Sequence, residues 1–146
     1  MNKVALNTFS FFDSGNKPSE ETEPERFYHG FVLGMVVDLA DRYTVRSNRE
    51  SGYGRYDVMI KPLDKQEKAF IFEFKVLNRD DDETVLEDTV ANALRQIEQK
   101  EYAAELAAEG FAPEKMRKYG FAFEGMRCLI RCYYSQPILI TKRYSI

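Results

Sequence analysis

Apolar residues recur every three to four positions from about Glu25 to Arg42, which predicts an amphipathic helix. The segment Thr22-Glu23-Pro24-Glu25 indicates its start, because threonine and glutamate stand at capping-box spacing and proline occupies the first turn. Its predicted core stripe comprises Tyr28, Val32, Met35, Val36, Leu39 and Tyr43. Residues 1–22 are polar apart from one apolar run, and we expect a loosely attached lead-in to a domain that spans residues 23–146.

Three strands are predicted next, at Tyr43–Arg49, Arg55–Lys61 and Lys68–Leu77. The third is almost continuously apolar, which is typical of a central strand covered on both faces. The first two are separated by Ser51-Gly52-Tyr53-Gly54, where two glycines indicate a sharp bend or a close approach of the backbone to another group. Charged residues at positions 62–67 predict a hairpin loop.

A second helix is predicted from about Thr84 to Glu109, and Gly110 is expected to end it. Its core stripe comprises Leu86, Val90, Ala93, Ile97 and Ala104.

Two further strands are predicted at Lys118–Phe123 and Arg127–Tyr133, around the hairpin signal Glu124-Gly125-Met126. The tail after Pro137 is a candidate edge strand. This order of elements predicts an α/β fold in which a mixed central sheet of about four to five strands is flanked by helices.

The composition fits one ordinary globular domain of 146 residues. No run approaches the roughly 18 apolar residues of a membrane helix, and Met1–Phe12 lacks the apolar region of a signal peptide, so we expect a cytoplasmic protein without membrane association. Cys128 and Cys132 lie along one predicted strand, about 13 Å apart, which is too far for a disulfide. Buried, reduced thiols are expected, and one histidine with two cysteines is too few for structural zinc.

The net charge of −3 and the pI near 5.3 are not typical of a nucleic-acid-binding protein. A local basic rim can nevertheless attract phosphates. Candidates for such a rim are Lys115, Arg117, Lys118, Arg127, Arg131, Lys142 and Arg143. Each cluster, taken singly, is equally consistent with a solvated surface.

Glu73 and Lys75 interrupt the apolar run of the third predicted strand. Side chains two apart on a strand share a face, so these two should project together while Phe72, Phe74 and Val76 point to the opposite layer. A carboxylate and an ammonium in a central strand are costly to bury unless they are paired or bind an ion.

Asp57 lies in the preceding strand, and a hairpin centred near residue 65 places it opposite about position 73. Two adjacent carboxylates repel unless a cation lies between them. A hard divalent ion such as Mg²⁺ suits oxygen ligands of this kind. Lys75 is then placed to hold an attacking water and to stabilise a charged transition state at phosphorus.

Asp57 followed by Glu73-Phe74-Lys75 resembles the D…(D/E)XK signature of the PD-(D/E)XK nuclease superfamily. The resemblance extends from about Phe9 to Arg131. It includes Phe27-Tyr28-His29-Gly30-Phe31, Arg46-Ser47-Asn48-Arg49-Glu50-Ser51-Gly52, Gly54-Arg55-Tyr56-Asp57, Gln96-Ile97, Lys100 and Tyr102. Together these segments resemble the nuclease-like domain at the C-terminus of a large group of bacterial AAA-ATPase-like proteins.

The resemblance implies a restriction-endonuclease-like fold in which Asp57 and Glu73 bind Mg²⁺ or Mn²⁺ and Lys75 is catalytic. It also implies that His29 on the first helix is an additional metal ligand, and that Gln96, with Lys100, orients the site and touches substrate. Tyr56 stands where the superfamily nominally has proline. No G-x-x-x-x-G-K-[ST] loop occurs, so no ATPase is expected within this chain, which is either a stand-alone copy or an excised domain. The candidate protein partners are an ATPase or a second copy of the chain.

Several of these residues have a second interpretation. His29 can simply pack at the edge of the core, and Gln96 and Lys100 can be ordinary helix-surface residues. Glu50 is either a partner of Lys75 or Arg55 or a solvated turn residue.

Two further features favour a structural role over a functional one. Asp80-Asp81-Asp82 is better explained as an acidic run before a helix than as a metal site. Tyr53 can stack on a base, although packing explains it more simply.

The function expected from these residues is metal-dependent hydrolysis of phosphodiester bonds, with DNA as the expected substrate. The alternative is a nuclease-like domain that binds nucleic acid or a protein partner without cutting.

Overall fold

The computed structural model describes residues 29–30, 32–34, 36–124, 127–133 and 140–145. The lead-in and the helix start at Thr22–Glu25 lie outside these residues, as do Tyr28, Met35 and the hairpin residues 125–126. Within the described residues, no helix is both long enough and apolar enough to cross a membrane.

A six-stranded mixed sheet forms the centre of the described chain. Its strands are β1 (Tyr43–Ser51), β2 (Gly54–Pro62), β3 (Ala69–Val76), β4 (Met116–Glu124), β5 (Arg127–Tyr133) and β6 (Ile140–Ser145). They lie side by side in chain order, and only the β3–β4 pair is parallel. The predicted α/β fold with a mixed sheet is therefore confirmed, and the candidate edge strand in the tail accounts for β6 and the sixth position.

The parallel β3–β4 pair follows from the segment between them, because parallel neighbours need a crossover connection. That segment contains α1 (Leu86–Gln99) and α2 (Ala104–Ala108). α1 packs across β3, β4 and β5 on one side of the sheet, which we call the helix-bearing face. The core on this face comprises Tyr56, Met59, Ala69, Ile71, Leu94, Ile97, Tyr102, Leu106, Phe111 and Met116.

Aromatic rings dominate the opposite face of the sheet. Phe72, Phe74, Phe121 and Phe123 form a continuous set of ring contacts, the shortest being 4.9 Å between the centroids of Phe74 and Phe121. Helical residues between positions 29 and 36 cover part of this face, where Val32 and Leu33 are buried. Both faces of β3 are thus covered, as its apolar run predicted.

The first helix is shorter at its C-terminal end than predicted. The helical residues are followed by a 3₁₀ turn at Val37–Leu39, and β1 begins at Tyr43. Leu39 is 37% exposed and does not belong to a core stripe. Tyr43 packs at the aromatic face from β1, and not from a helix.

The prediction of one helix from Thr84 to Glu109 is wrong, because the backbone reverses after Gln99. Glu101 adopts a left-handed conformation (φ 52°), and the amide of Tyr102 donates to Ile97 O (3.2 Å). The amide of Glu101 donates to Glu98 O (3.1 Å). This pair of bonds is a Schellman motif, which usually has glycine where Glu101 stands. The break buries Tyr102 and Leu106 and leaves Ala104, predicted to be core, exposed.

The end predicted at Gly110 is confirmed. Gly110 has φ 87°, and the amide of Phe111 donates to Leu106 O (3.0 Å), so a second Schellman motif terminates α2.

The turn between β1 and β2 docks against the end of α1. The amide of Tyr53 donates to Lys100 O (2.7 Å). Gly52 has φ 60°, and a Cβ at this position would clash with Lys100 O and Glu101 O. A side chain at Gly54 would be tight against Tyr102 and Lys100. The predicted close approach of the glycines to another group is thereby confirmed.

Candidate metal and nuclease site

Asp57 lies where β2 and β3 separate. The ladder between these strands pairs Ile60 with Phe70 and ends at Val58 opposite Phe72. Continued by one residue, this register places Asp57 opposite Glu73, as the hairpin predicted. The ladder stops there, and the amide of Phe74 donates instead to Asp57 Oδ2 (2.8 Å). The separation of the strands therefore brings one carboxylate against the backbone that carries the other.

Glu73 is a buried carboxylate on the helix-bearing face, only 3% exposed. Ile71, two residues earlier, belongs to the core on that face, whereas Phe72 and Phe74 belong to the aromatic face. The predicted division of β3 into two faces is confirmed. Gln96 of α1 donates a hydrogen bond from Nε2 to Glu73 Oε1.

Tyr102 joins this cluster from the turn after α1. Gln96 Nε2 also contacts Tyr102 Oη (3.0 Å), and the phenol ring is 1% exposed. Burial and the nearby negative charges of Glu73 and Asp57 raise the pKa of Tyr102 to about 12. The negative charges of both carboxylates therefore act on the same phenol.

Lys75 is half-buried, two residues beyond Glu73, and interacts electrostatically with Glu83. Glu83 is 6% exposed. Burial opposes ionisation of Glu83, but hydrogen bonds from Thr89, Asn78 and Asn92 and the charge of Lys75 hold the pKa of its carboxyl group below the ordinary value. A third acidic residue thus interacts electrostatically with the lysine.

His29 lies among different neighbours. Its Nε2 is 3.1 Å from Ser47 Oγ, its Nδ1 is 3.5 Å from Asn48 Nδ2, and its ring stacks on Phe74 at 5.7 Å between centroids. It is 7% exposed. These contacts fit the interpretation of a histidine packed at the core edge. Its role as a metal ligand stays a prediction, and that role requires one of these two contacts to be exchanged for the metal.

Comparison with known proteins supplies the family. The family model of the PD-(D/E)XK nuclease superfamily matches residues 23–132, which include Asp57, Glu73, Lys75 and Gln96. The chain belongs to the PD-(D/E)XK nuclease superfamily. Neither the curated proteins nor the solved structures gave a match.

Asp57 and Glu73, which we call the acid pair, fit the divalent ion that PD-(D/E)XK nucleases typically use. Among the described residues, no group of three or more histidine, cysteine, aspartate or glutamate side chains is placed to bind a metal. Mg²⁺ does not need such a group, because it usually keeps several waters and binds through one or two carboxylates. Asp57 and Glu73 supply two hard oxygen donors beside each other.

Other residues singled out in the superfamily segments have structural contacts. Lys100 caps the C-terminal end of α1 and accepts the Tyr53 amide through its carbonyl oxygen. Glu50 is exposed and lies 3.9 Å from Arg55. Tyr53 is 75% exposed. Asp80 and Asp81 lie in a 3₁₀ turn that begins after Asn78.

The acidic run before α1 does not cap it. Asp88 Oδ2 instead accepts hydrogen bonds from the amides of Thr84 (3.0 Å) and Val85 (3.2 Å). The cap therefore comes from inside the first turn of α1.

The cysteines are buried, as expected. Cys128 and Cys132 are both free thiols on β5. Burial raises the pKa of the Cys128 thiol to about 11. The thiol therefore stays protonated at neutral pH, which agrees with a structural role.

Several cations of the predicted basic rim form hydrogen bonds or ion pairs with neighbouring residues. Lys118 Nζ bonds Glu98 (2.8 and 2.9 Å), and Arg127 Nη1 bonds Glu124 (2.8 Å). Lys115 Nζ donates to Gln66 O (2.5 Å). The side chains of Lys142 and Arg143 lie outside the description.

Glu83 and Tyr102 are the site residues that the sequence pattern did not assign. Glu83 stands at the end of a charged loop, where its burial depends on Thr89 and Asn92 of α1. The spacing of Thr89 and Asn92, three residues apart on one helix face, is the only sequence signal for that contact. Tyr102 was noted only as part of the family resemblance, because the break in the helix that buries it was not foreseen.

Proposed function

We propose that the chain is a divalent-metal-dependent nuclease that hydrolyses phosphodiester bonds in DNA. Asp57 and Glu73 are the metal ligands, and Lys75 is the catalytic cation. The observation that carries this proposal is the end of the β2–β3 ladder at Val58 and Phe72, which leaves the two carboxylates beside each other on the face that carries Lys75.

The burial of Glu73 supports ion binding over a purely structural role. A carboxylate that is 3% exposed is costly to keep charged, and the hydrogen bond from the neutral amide of Gln96 offsets only part of that cost. A second carboxylate beside it adds repulsion. A bound cation relieves both costs, and oxygen donors favour Mg²⁺ or Mn²⁺.

Each side chain then has a defined task. Asp57 and Glu73 would hold the metal, which would supply Lewis-acid polarisation of the scissile phosphate and a lower pKa for an attacking water. Lys75 Nζ donates hydrogen bonds to that water and to the charge that develops on the phosphate oxygens. Glu83 supplies a negative charge that attracts the Lys75 ammonium group. Gln96 is a positioning residue, because it fixes the Glu73 carboxylate.

A cleavage assay on the full chain tests the proposal. Labelled single- and double-stranded DNA and RNA are incubated with Mn²⁺, with Mg²⁺ and with EDTA. We expect metal-dependent cleavage of DNA that falls on the order of a hundredfold to a thousandfold in Lys75→Ala. The control is Lys68→Ala, since Lys68 is exposed next to the same strand. Circular dichroism checks that both variants fold.

Two outcomes contradict the proposal. One is wild-type protein that leaves all four substrates intact with either metal, and the other is Lys75→Ala that cuts as fast as Lys68→Ala. Binding of DNA without cleavage would favour the alternative of a nuclease-like domain that only binds.

A further inference from the structure

An arginine-lined cavity of about 700 Å³ lies beside the acid pair and has no part in the site described so far. Its basic lining residues are Arg46, Arg49 and Arg55. β1, which supplies two of them, is the edge strand of the sheet, so the cavity lies at the rim of the molecule.

The cavity lies on the same face as the acid pair. Arg46 Nη1 bonds Glu105 of α2 (2.8 Å), and α2 packs on the helix-bearing face through Leu106. Asn48 also lines the cavity. The flanking pairs Ser47–Val58 and Arg49–Tyr56 place Asn48 opposite Asp57. One strand spacing, about 4.8 Å, therefore separates the backbone of the cavity wall from the backbone of a proposed metal ligand.

The backbone of β1 explains why neighbouring residues both line the cavity. Side chains normally alternate between faces along a strand. Asn48 has φ 49°, which interrupts the alternation, and both Asn48 and Arg49 contribute to the lining. The distortion thus adds a second cation to the wall already formed by Arg46.

The charges in the cavity favour an anion. Two glutamates also line it, but Glu105 is already balanced by Arg46 and by the buried Lys61, whose Nζ lies 2.7 Å from Glu105 Oε1. Glu50 is strongly exposed and lies 3.9 Å from Arg55. Within the described part of the chain, Arg49 forms no ion pair, and its guanidinium group is available to a ligand.

We infer that this cavity binds the phosphodiester backbone of the DNA strand next to the bond that is cut. Guanidinium groups match phosphate oxygens in a two-pronged geometry, and arginine is favoured over lysine for such contacts. The inference rests on the proposed nuclease function, because it adds the strand-binding part of that site. In this arrangement the bound DNA strand extends from the acid pair on β2 and β3 across to β1.

A binding titration separates the cavity from the catalytic centre. Anisotropy of a labelled DNA oligonucleotide is measured in EDTA for wild type, Arg49→Ala and Arg49→Lys. The control is Lys68→Ala, since Lys68 is an exposed cation that neither lines the cavity nor belongs to the predicted basic rim. Thermal unfolding checks that each variant is folded.

We expect Arg49→Ala to raise the Kd roughly fivefold to tenfold and to reduce the slope of log K against log salt by about 0.7–0.9. Arg49→Lys should restore part of the affinity, and Lys68→Ala should leave the Kd and the slope unchanged.

The outcomes keep the two proposals apart. Wild-type protein that cuts DNA, with Arg49→Ala unchanged in Kd and slope, overturns the cavity inference and leaves the nuclease proposal standing. Wild-type protein that does not cut, with Arg49→Ala clearly weaker in binding, supports the cavity and overturns the nuclease. Equal losses in Arg49→Ala and Lys68→Ala, or no binding by wild type, overturn the cavity inference.

Discussion

Gln96 on α1 donates a hydrogen bond to the buried carboxylate of Glu73 on β3, and this bond connects the helix to the proposed metal site. The same amide nitrogen contacts Tyr102 Oη, so one side chain fixes an acid and a phenol. The Schellman motif at Lys100–Tyr102 positions that phenol. The geometry of Glu73 therefore depends on how α1 ends.

Gln96→Ala should weaken the site without unfolding the protein. The substitution leaves the Glu73 carboxylate short of a hydrogen bond, which costs about 1–3 kcal/mol in the free energy of unfolding. Loss of a residue that orients a metal ligand should also reduce cleavage roughly tenfold to a hundredfold. Gln99→Ala is the control, because Gln99 is exposed on the same helix. Equal cleavage rates for the two variants would contradict the role of Gln96 in positioning Glu73.

Lys61 should be important for stability, and the reason is its burial. It is 5% exposed, and its Nζ lies 2.7 Å from both Glu105 Oε1 and Glu109 Oε1. Lys61→Ala leaves the glutamates without this cation, and breaking a buried ion pair costs about 3–5 kcal/mol. Thermal unfolding measures the loss. Lys68→Ala, at an exposed position, should change the Tm by little.

Lys61→Ala also tests how α2 is held against the sheet. Glu105 accepts from Lys61, Arg46 and Tyr56, so it joins α2 to β1 and β2. A Tm of Lys61→Ala equal to that of Lys68→Ala would show that this network does not stabilise the fold.

Glu83 should make stability dependent on acid pH. The pKa of its carboxyl group is lowered in the folded state. The stabilisation from its ionised form is therefore present above the unfolded pKa and is lost as the pH falls through the folded pKa. Glu83→Gln should lower the Tm at pH 7, and the difference from wild type should shrink at an acid pH below the folded pKa of Glu83.

The control for this comparison is Glu67→Gln, since Glu67 is exposed in the β2–β3 loop. A difference between wild type and Glu83→Gln that is the same at both pH values would contradict the assigned pKa shift.

The sequence was sufficient to predict the acid pair, because strand geometry is simple. A period of two placed Glu73 and Lys75 on one face, and the centre of the loop near residue 65 placed Asp57 opposite Glu73. Both predictions rest on local backbone rules. The strand limits were accurate for the same reason, and β5 has the predicted limits of Arg127–Tyr133.

What the sequence did not predict depends on tertiary packing. The break in the second helix has no glycine to signal it, since Glu101 occupies the left-handed position. Glu101 adopts that conformation where the β1–β2 turn docks against the end of α1. The arginine cavity depends on the left-handed Asn48, an uncommon conformation that interrupts an otherwise regular strand. Lys61 looks like an ordinary strand residue until α2 places Glu105 and Glu109 against it.

The most direct measurement is a calorimetric titration of the full chain with Mn²⁺, which detects binding independently of cleavage. We predict a saturable signal for wild type that is lost in Asp57→Asn and in Glu73→Gln. It should be retained in Glu114→Gln, which changes an exposed acid elsewhere on the surface. A wild type that gives no signal, or a signal of equal strength in all three variants, would contradict the claim that Asp57 and Glu73 share one divalent ion.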